Sequence, residues 1–182
     1  TFTSGGTEAT FAALLAARAA ALPAAWKEGI GAAPPVVLHG EHAHYAVGRA
    51  VGELGLGTDN AVAVPSRRFR MDVDALEAEL DRQPARARKV MAVVATAGST
   101  ATGSFDDLEA IGRLCEARGA WLHVDGAHGA SALLSATHRG RLRAATRHGA
   151  MISTPRNRLF ASSSTARSTR WSATTRRRYR NA

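Results

Sequence analysis

The stretch "KVMAVVATAGSTATGSFDDLEAIGRLCEARGAWLHVDG", Lys89 to Gly126, decides the fold. Its first ten residues are an apolar run that reads as a buried strand, and its last seven, "AWLHVDG", read as another. Between them "SFDDLEAIGRLCEARG" has acids in its first turn, Arg118 in its last and Gly119 at its end, which suits the dipole and the C-cap of a helix. Strand, helix and strand in that order predict a parallel βαβ unit. Upstream the alternation continues. "TEATFAALLAARAAAL" (7–22) is a helix that follows the turn "TSGG" directly, "PVVLH" (35–39) is a strand, "AHYAVGRAVGEL" (43–54) a helix, "AVAVP" (61–65) a short strand, and "DVDALEAELDRQ" (72–83) a helix with Asp72 available as N-cap. The expected class is α/β with a mostly parallel sheet and flanking helices.

At 182 residues the chain is long enough for one domain with a sizeable core. It has no run of eighteen apolar residues and no basic n-region followed by an apolar h-region, so the reading expects no membrane span or signal peptide and a cytoplasmic location. The single cysteine, Cys115, lies at helical spacing from Ile111 and Leu114 and is expected to be a buried thiol outside any disulfide. The net charge of +9 is unevenly placed. Residues 1–125 carry 12 Lys and Arg against all 15 acids, whereas residues 126–182 carry the other 12 basic residues and no acid. After residue 150 the hydrophobic period stops, so the expected organisation is a partial domain over 1–150 and an off-pattern Arg/Ser/Thr-rich tail over 151–182, disordered if free.

Open parallel sheets bind ligands beyond the carboxyl ends of their strands. Four places there carry polar groups. Gly5, Gly6 and Thr7 precede or open a helix, where free N–H groups and the positive dipole end can hold a phosphate; a glycine turn there can also be purely structural. His44, after "PVVLH", could cap the helix, stack on a ring or be exposed. Thr100 follows the strongest strand in a loop of small residues that allows a ligand close to the backbone. Asp125 ends the last strand, and a carboxylate there needs a partner in the protein or on a cationic ligand. No metal-ligating set is expected.

In this order, "TSGGTEAT", "HAHYAV", "TAGSTATGSFDDLEAI" and "WLHVDGAHGAS" resemble the motifs of the group II pyridoxal-phosphate-dependent decarboxylases, the family of glutamate, aromatic amino acid and 2,4-diaminobutyrate decarboxylases. The resemblance covers residues 1 to about 143. It implies part of the large domain of the type I PLP-dependent transferase (aspartate aminotransferase-like) fold, a carboxy-lyase activity on an amino acid, pyridoxal 5'-phosphate as cofactor, and a homodimeric parent. It gives Gly6 and Thr7 the phosphate, His44 the stack on the pyridine ring with His42 as its neighbour, Thr100 a place beside the cofactor, Asp125 the pyridine nitrogen, and Ala127 a contact with the ring. His44 and Asp125 are the residues expected to matter for catalysis. A carboxylate beside the pyridine nitrogen favours its protonated form, and the cationic ring can then accept the electrons released when the Cα–carboxylate bond breaks. Small residues at 126 and 127 leave room for a flat ring.

The resemblance also implies a Schiff-base lysine in a His-Lys motif beyond the aspartate. This chain has two lysines, Lys27 and Lys89, and both precede Asp125. Where the motif should fall the sequence is "STPRNRLF" (153–160), as a reading-frame shift in a GC-rich gene would produce. The expectation is therefore an inactive fragment that keeps a cofactor cradle. The alternative, a non-catalytic domain whose basic tail binds nucleic acid or another polyanion, has little support in "TTRRRYR" (174–180), which has little aromatic interleaving and no motif of such a module. The substrate lies outside these motifs, with a lean towards the diaminobutyrate or aromatic branch.

Overall fold

Alternating apolar and amphipathic segments become five parallel strands with helices on both faces. The computed structural model describes residues 3–142 and 151–153. Helix α1 (Gly6–Ala21) and the short α2 (Ala25–Glu28) precede β1 (Val36–Gly40). Next come α3 (Ala46–Glu53), β2 (Ala61–Val64), a hairpin of β3 (Ser66–Arg67) and β4 (Arg70–Met71), and α4 (Val73–Ala85). Strand β5 (Val90–Thr96), α5 (Leu108–Arg118), β6 (Trp121–Asp125) and β7 (Met151–Ser153) complete the set. The sheet order is β2-β1-β5-β6-β7, parallel throughout.

Strand alternation sorts the core into two sides. Val37, Ala92 and Val94 pack with Leu14 and Ala17 of α1 and Val47 and Val51 of α3. Leu38, Val93, Ala95, Leu122 and Val124 pack with Leu76 and Leu80 of α4 and Ile111 and Cys115 of α5. On β6 the residues that alternate with Leu122 and Val124 face the other way, which places His123, fully buried, and Asp125 on the α1 side. Burial pushes the Cys115 thiol up to about 12, as expected of a core cysteine.

The expected N-cap Asp72 accepts from the Asp74 and Ala75 N–H groups at the start of α4, and Gly119 ends α5 at φ 63°; of the acids expected in the first turn of that helix, Asp107 is the N-cap and accepts from Ala110 N. Helix α3 begins at Ala46, later than the 43–54 segment suggested, and in the turn before it the His44 Nδ1 accepts from Ala46 N (3.2 Å). Two elements are additions to the sequence reading: α2 and the β3–β4 hairpin. Strand β7 lies beyond residue 150, so three residues assigned to the tail pair with His123–Asp125 of β6. The rest of the tail, 154–182, lies outside the described residues. Among the described residues, no helix is long and apolar enough to cross a membrane.

Candidate functional site

The crossover from β1 to β2 runs over the α3 face and the crossover from β5 to β6 over the α5 face. The chain therefore departs in opposite directions from two adjacent strands, β1 and β5, and the loops at their carboxyl ends splay apart. Such a switch point is where open α/β sheets form a crevice. Here the crevice is a cleft of about 620 Å³ lined by residues 6–7, 42–46, 96, 98–101, 125 and 127–128. Gly6, Thr7, His44, Thr100, Asp125 and Ala127, far apart in sequence, all line it.

Each arrives by a local cause. Gly6 and Thr7 open α1 and line the cleft, and N–H groups in the first turn of a helix have no acceptor within it. Glu8 turns back to accept from Ser4 N, which holds its carboxylate below the usual range and keeps it on the cap. Gly6 is required by proximity: a Cβ on it would lie 2.6 Å from the Ala127 Cβ, so the start of α1 and the loop after β6 touch without room for a side chain. Asp125, half-buried, uses Oδ1 to accept from Ala127 N (3.1 Å), which fixes its rotamer and leaves the carboxylate further acceptor capacity. His44, half-buried, has its Nδ1 engaged by Ala46 N at the start of α3 and its ring tilted on Tyr45 at 4.2 Å. An accepting Nδ1 assigns the proton of the neutral ring to Nε2.

Thr100 stands exposed at the tip of a closed loop. Gly98 N and Ser99 N both donate to Ser104 O (3.0 and 2.9 Å), and Asp106 N donates to Thr96 O (3.0 Å). Gly98, at φ 86°, packs directly on the backbone of Gly129, whose N–H donates to Ala97 O (3.1 Å). The loops after β5 and β6 are thereby joined, and Ala97 N donates to Asp125 O (2.8 Å). His42, named as a neighbour of His44, lies in the same wall, exposed, with its ring 5.5 Å from Phe69 at the tip of the hairpin.

Four lining residues with polar side chains were not singled out in the sequence: Tyr45, Thr96, Ser99 and His128. Their signal was position alone, at a strand end or within five residues beyond one.

The two lysines stand at the far end of the sheet. Lys89 immediately precedes β5, and at about 3.3 Å per residue it lies roughly 20 Å from Thr96 at the cleft. Its Nζ donates to Ala21 O (2.9 Å), at the end of α1 opposite the cleft. Lys27, on α2 just after that end, is exposed.

Residues 1–162 match the model of the pyridoxal-dependent decarboxylase conserved domain. The chain belongs to that family. The family match extends past residue 143, the limit of the sequence resemblance, and includes the first residues of the arginine-rich segment. L-2,4-diaminobutyrate decarboxylase of Rhizobium meliloti is 42% identical over 142 residues, covering 78% of this chain and 27% of the relative. Human cysteine sulfinic acid decarboxylase is 38% identical over 140 residues, covering 76% and 28%. Among solved structures, mouse CSAD in apo form superposes with a TM-score of 0.80 at 34% identity over 84% of this chain and 32% of that one. The glutamate decarboxylase domain from Vibrio parahaemolyticus does so with a TM-score of 0.77 at 30% identity. The chain thus spans 27–28% of the length of these curated relatives. The family's cofactor is pyridoxal phosphate, and the parallel sheet with helices on both faces is the fold these decarboxylases share with the chain.

Proposed function

We propose that this chain forms the cofactor cradle of a pyridoxal-phosphate-dependent amino acid decarboxylase. The observation that carries the reading is the convergence of Gly6, Thr7, His44, Thr100, Asp125 and Ala127 on one cleft at the switch point, with a helix N-terminus and a carboxylate both facing it. The donor set fits a flat, phosphate-bearing cation. N–H groups of Gly6 and Thr7 hold the phosphate, the His44 ring lies against the pyridine, Thr100 closes the loop side, and Ala127 packs under the ring. Asp125 accepts from the pyridine N–H and keeps that proton in place. When bound, the cofactor supplies an electron sink for cleavage of the bond between Cα and the carboxylate. The reading takes residues 1–150 as part of the large domain of a cytoplasmic, homodimeric parent, and membership in the family supports an amino acid substrate.

The reading includes the absence of a lysine that reaches the cofactor. Lys27 and Lys89 both lie at the opposite end of the sheet, which supports non-covalent binding by this chain. Borohydride reduction of the chain mixed with pyridoxal phosphate, followed by peptide mapping, is expected to leave no adduct that competes with inorganic phosphate. A stoichiometric, phosphate-protectable adduct at Lys27 or Lys89 would overturn that part. The gene sequence around codon 150 tests the frame shift: an alternative frame encoding a His-Lys motif is the expected result, and its absence in all frames removes the idea.

A further inference from the structure

Asp106 is one of two adjacent acids before α5. Asp107 is exposed and caps the helix; Asp106 turns inward and is only 9% exposed. Its Oδ1 accepts from Met71 N (2.8 Å) and its Oδ2 from Thr96 N (2.7 Å), while its own N–H donates to Thr96 O (3.0 Å). One carboxylate therefore joins the last residue of β5 to the last residue of the β3–β4 hairpin. Thr96 lines the cleft and is the register partner of Asp125. The hairpin is clamped a second time where Ser104 Oγ donates to Phe69 O (2.7 Å), and the Phe69 ring meets His42 on the facing wall. The hairpin tip carries two non-glycine residues at positive φ, Arg68 (53°) and Phe69 (62°), a conformation that persists only where neighbours hold it. Asp106 does not itself line the cleft, yet it is bonded to Thr96, which does, and to the hairpin whose Phe69 ring meets His42.

We propose that Asp106 is a positioning residue: by bonding Thr96 and Met71 at once it fixes the separation of the Thr96–Ala101 and His42–His44 walls, and so the geometry in which the cofactor is held. The inference rests on the cradle reading above. Asn at this position keeps the size, but its amide presents an N–H₂ to one of two backbone N–H groups, so one wall loses its tie. Desolvation, its largest influence, raises the Asp106 pKa, with the two backbone N–H groups, Arg70 and His42 acting in the opposite sense.

The test measures pyridoxal phosphate binding to the full chain by fluorescence titration, with the circular dichroism of the bound cofactor and a melting curve of each apo protein. Asp106→Asn is expected to raise Kd by about tenfold and to diminish the cofactor's dichroic band at a temperature where the variant is fully folded. Asp107→Ala, which removes an exposed cap of the same helix, controls for lost stability and is expected to keep the native Kd and band. Equal Kd values for Asp106→Asn and the native chain overturn the proposal, as does an equal loss of affinity in Asp107→Ala. If Asp106→Asn does not fold, Ser104→Ala, which loosens the same junction, is expected to weaken binding about threefold, and an unchanged Kd there overturns it. Failure of the native chain to bind pyridoxal phosphate at all refutes the cradle reading itself, a distinct result.

Discussion

The two ends of this sheet are built from similar residues but to different standards of fit. At the carboxyl end, Gly6 meets Ala127, Gly98 meets Gly129, Asp106 accepts from backbone N–H groups at the ends of β4 and β5, and Asp125 Oδ1 accepts from Ala127 N in the loop that follows it. At the amino end, Gly119 stops α5 in open space, and Lys89 and Arg118 make surface contacts of the kind that contribute little. Tight loop-to-loop contact around an open cleft is costly to maintain and makes sense only where something is held. The amino end needs turns that do no more than return the chain.

Equivalent substitutions at the two ends should therefore differ most. Gly98→Ala adds a methyl both at φ 86° and within 2.8 Å of Gly129 backbone atoms, whereas Gly119→Ala adds one at φ 63° with nothing within 4 Å. Chemical denaturation is expected to show a loss of about 3–4 kcal/mol for Gly98→Ala and about 1 kcal/mol for Gly119→Ala. Equal losses would break the comparison.

A second contrast lies in pH dependence. Burial raises the Asp106 pKa above its ordinary 3.8, so the folded state holds this proton more tightly than the unfolded state. Its contribution to stability is complete below the ordinary value and is lost as pH rises through the raised one. Asp106→Asn removes that slope. The variant is expected to be about 1–2 kcal/mol less stable at neutral pH, with the gap to the native chain widening as pH falls towards 4. Denaturation curves at several pH values check this, and a gap that narrows on acidification contradicts it.

The smallest effect belongs to the core between the two ends. With its thiol pushed up to about 12 and its side chain buried, Cys115 is expected to react with a thiol reagent at neutral pH only as fast as the protein opens, and no faster when the cleft is filled or empty. Rapid stoichiometric labelling of the native chain would show the α5 face to be less closed than the structure has it.

Much of this was legible in the order of residues. The apolar runs at 90–96 and 121–125, the cap Asp72 and the stop at Gly119 each follow from local chemistry, and the six expected site residues lie at the end of β6, in loops after strands or at the start of α1. The β3–β4 hairpin was not legible, because its turn places Arg68 and Phe69 where Asn or Gly ordinarily announces a reversal. Tertiary ties from Asp106 and Ser104 replace the missing turn signal. Asp106 was itself hidden beside Asp107: a helix start explains one acid, and the second was the clue. His44 illustrates a different limit: capping, stacking and exposure were open alternatives, and the structure has its Nδ1 accept from Ala46 N while the residue, half-buried, lines the cleft.

The central claim is that Asp125 meets the pyridine nitrogen of a cofactor held at the carboxyl end. Asp125→Asn preserves size and the contact to Ala127 N while removing the charge, so it should leave the fold intact and weaken the hold on a protonated ring. Titrating the native chain and Asp125→Asn with pyridoxal phosphate, and following the cofactor's absorbance across pH, is the direct measurement. The account predicts saturable binding to both, about tenfold weaker in the variant, and a bound pyridine nitrogen that loses its proton at lower pH than in the native chain. Identical affinity and an identical titration of the bound cofactor in the two proteins would contradict it.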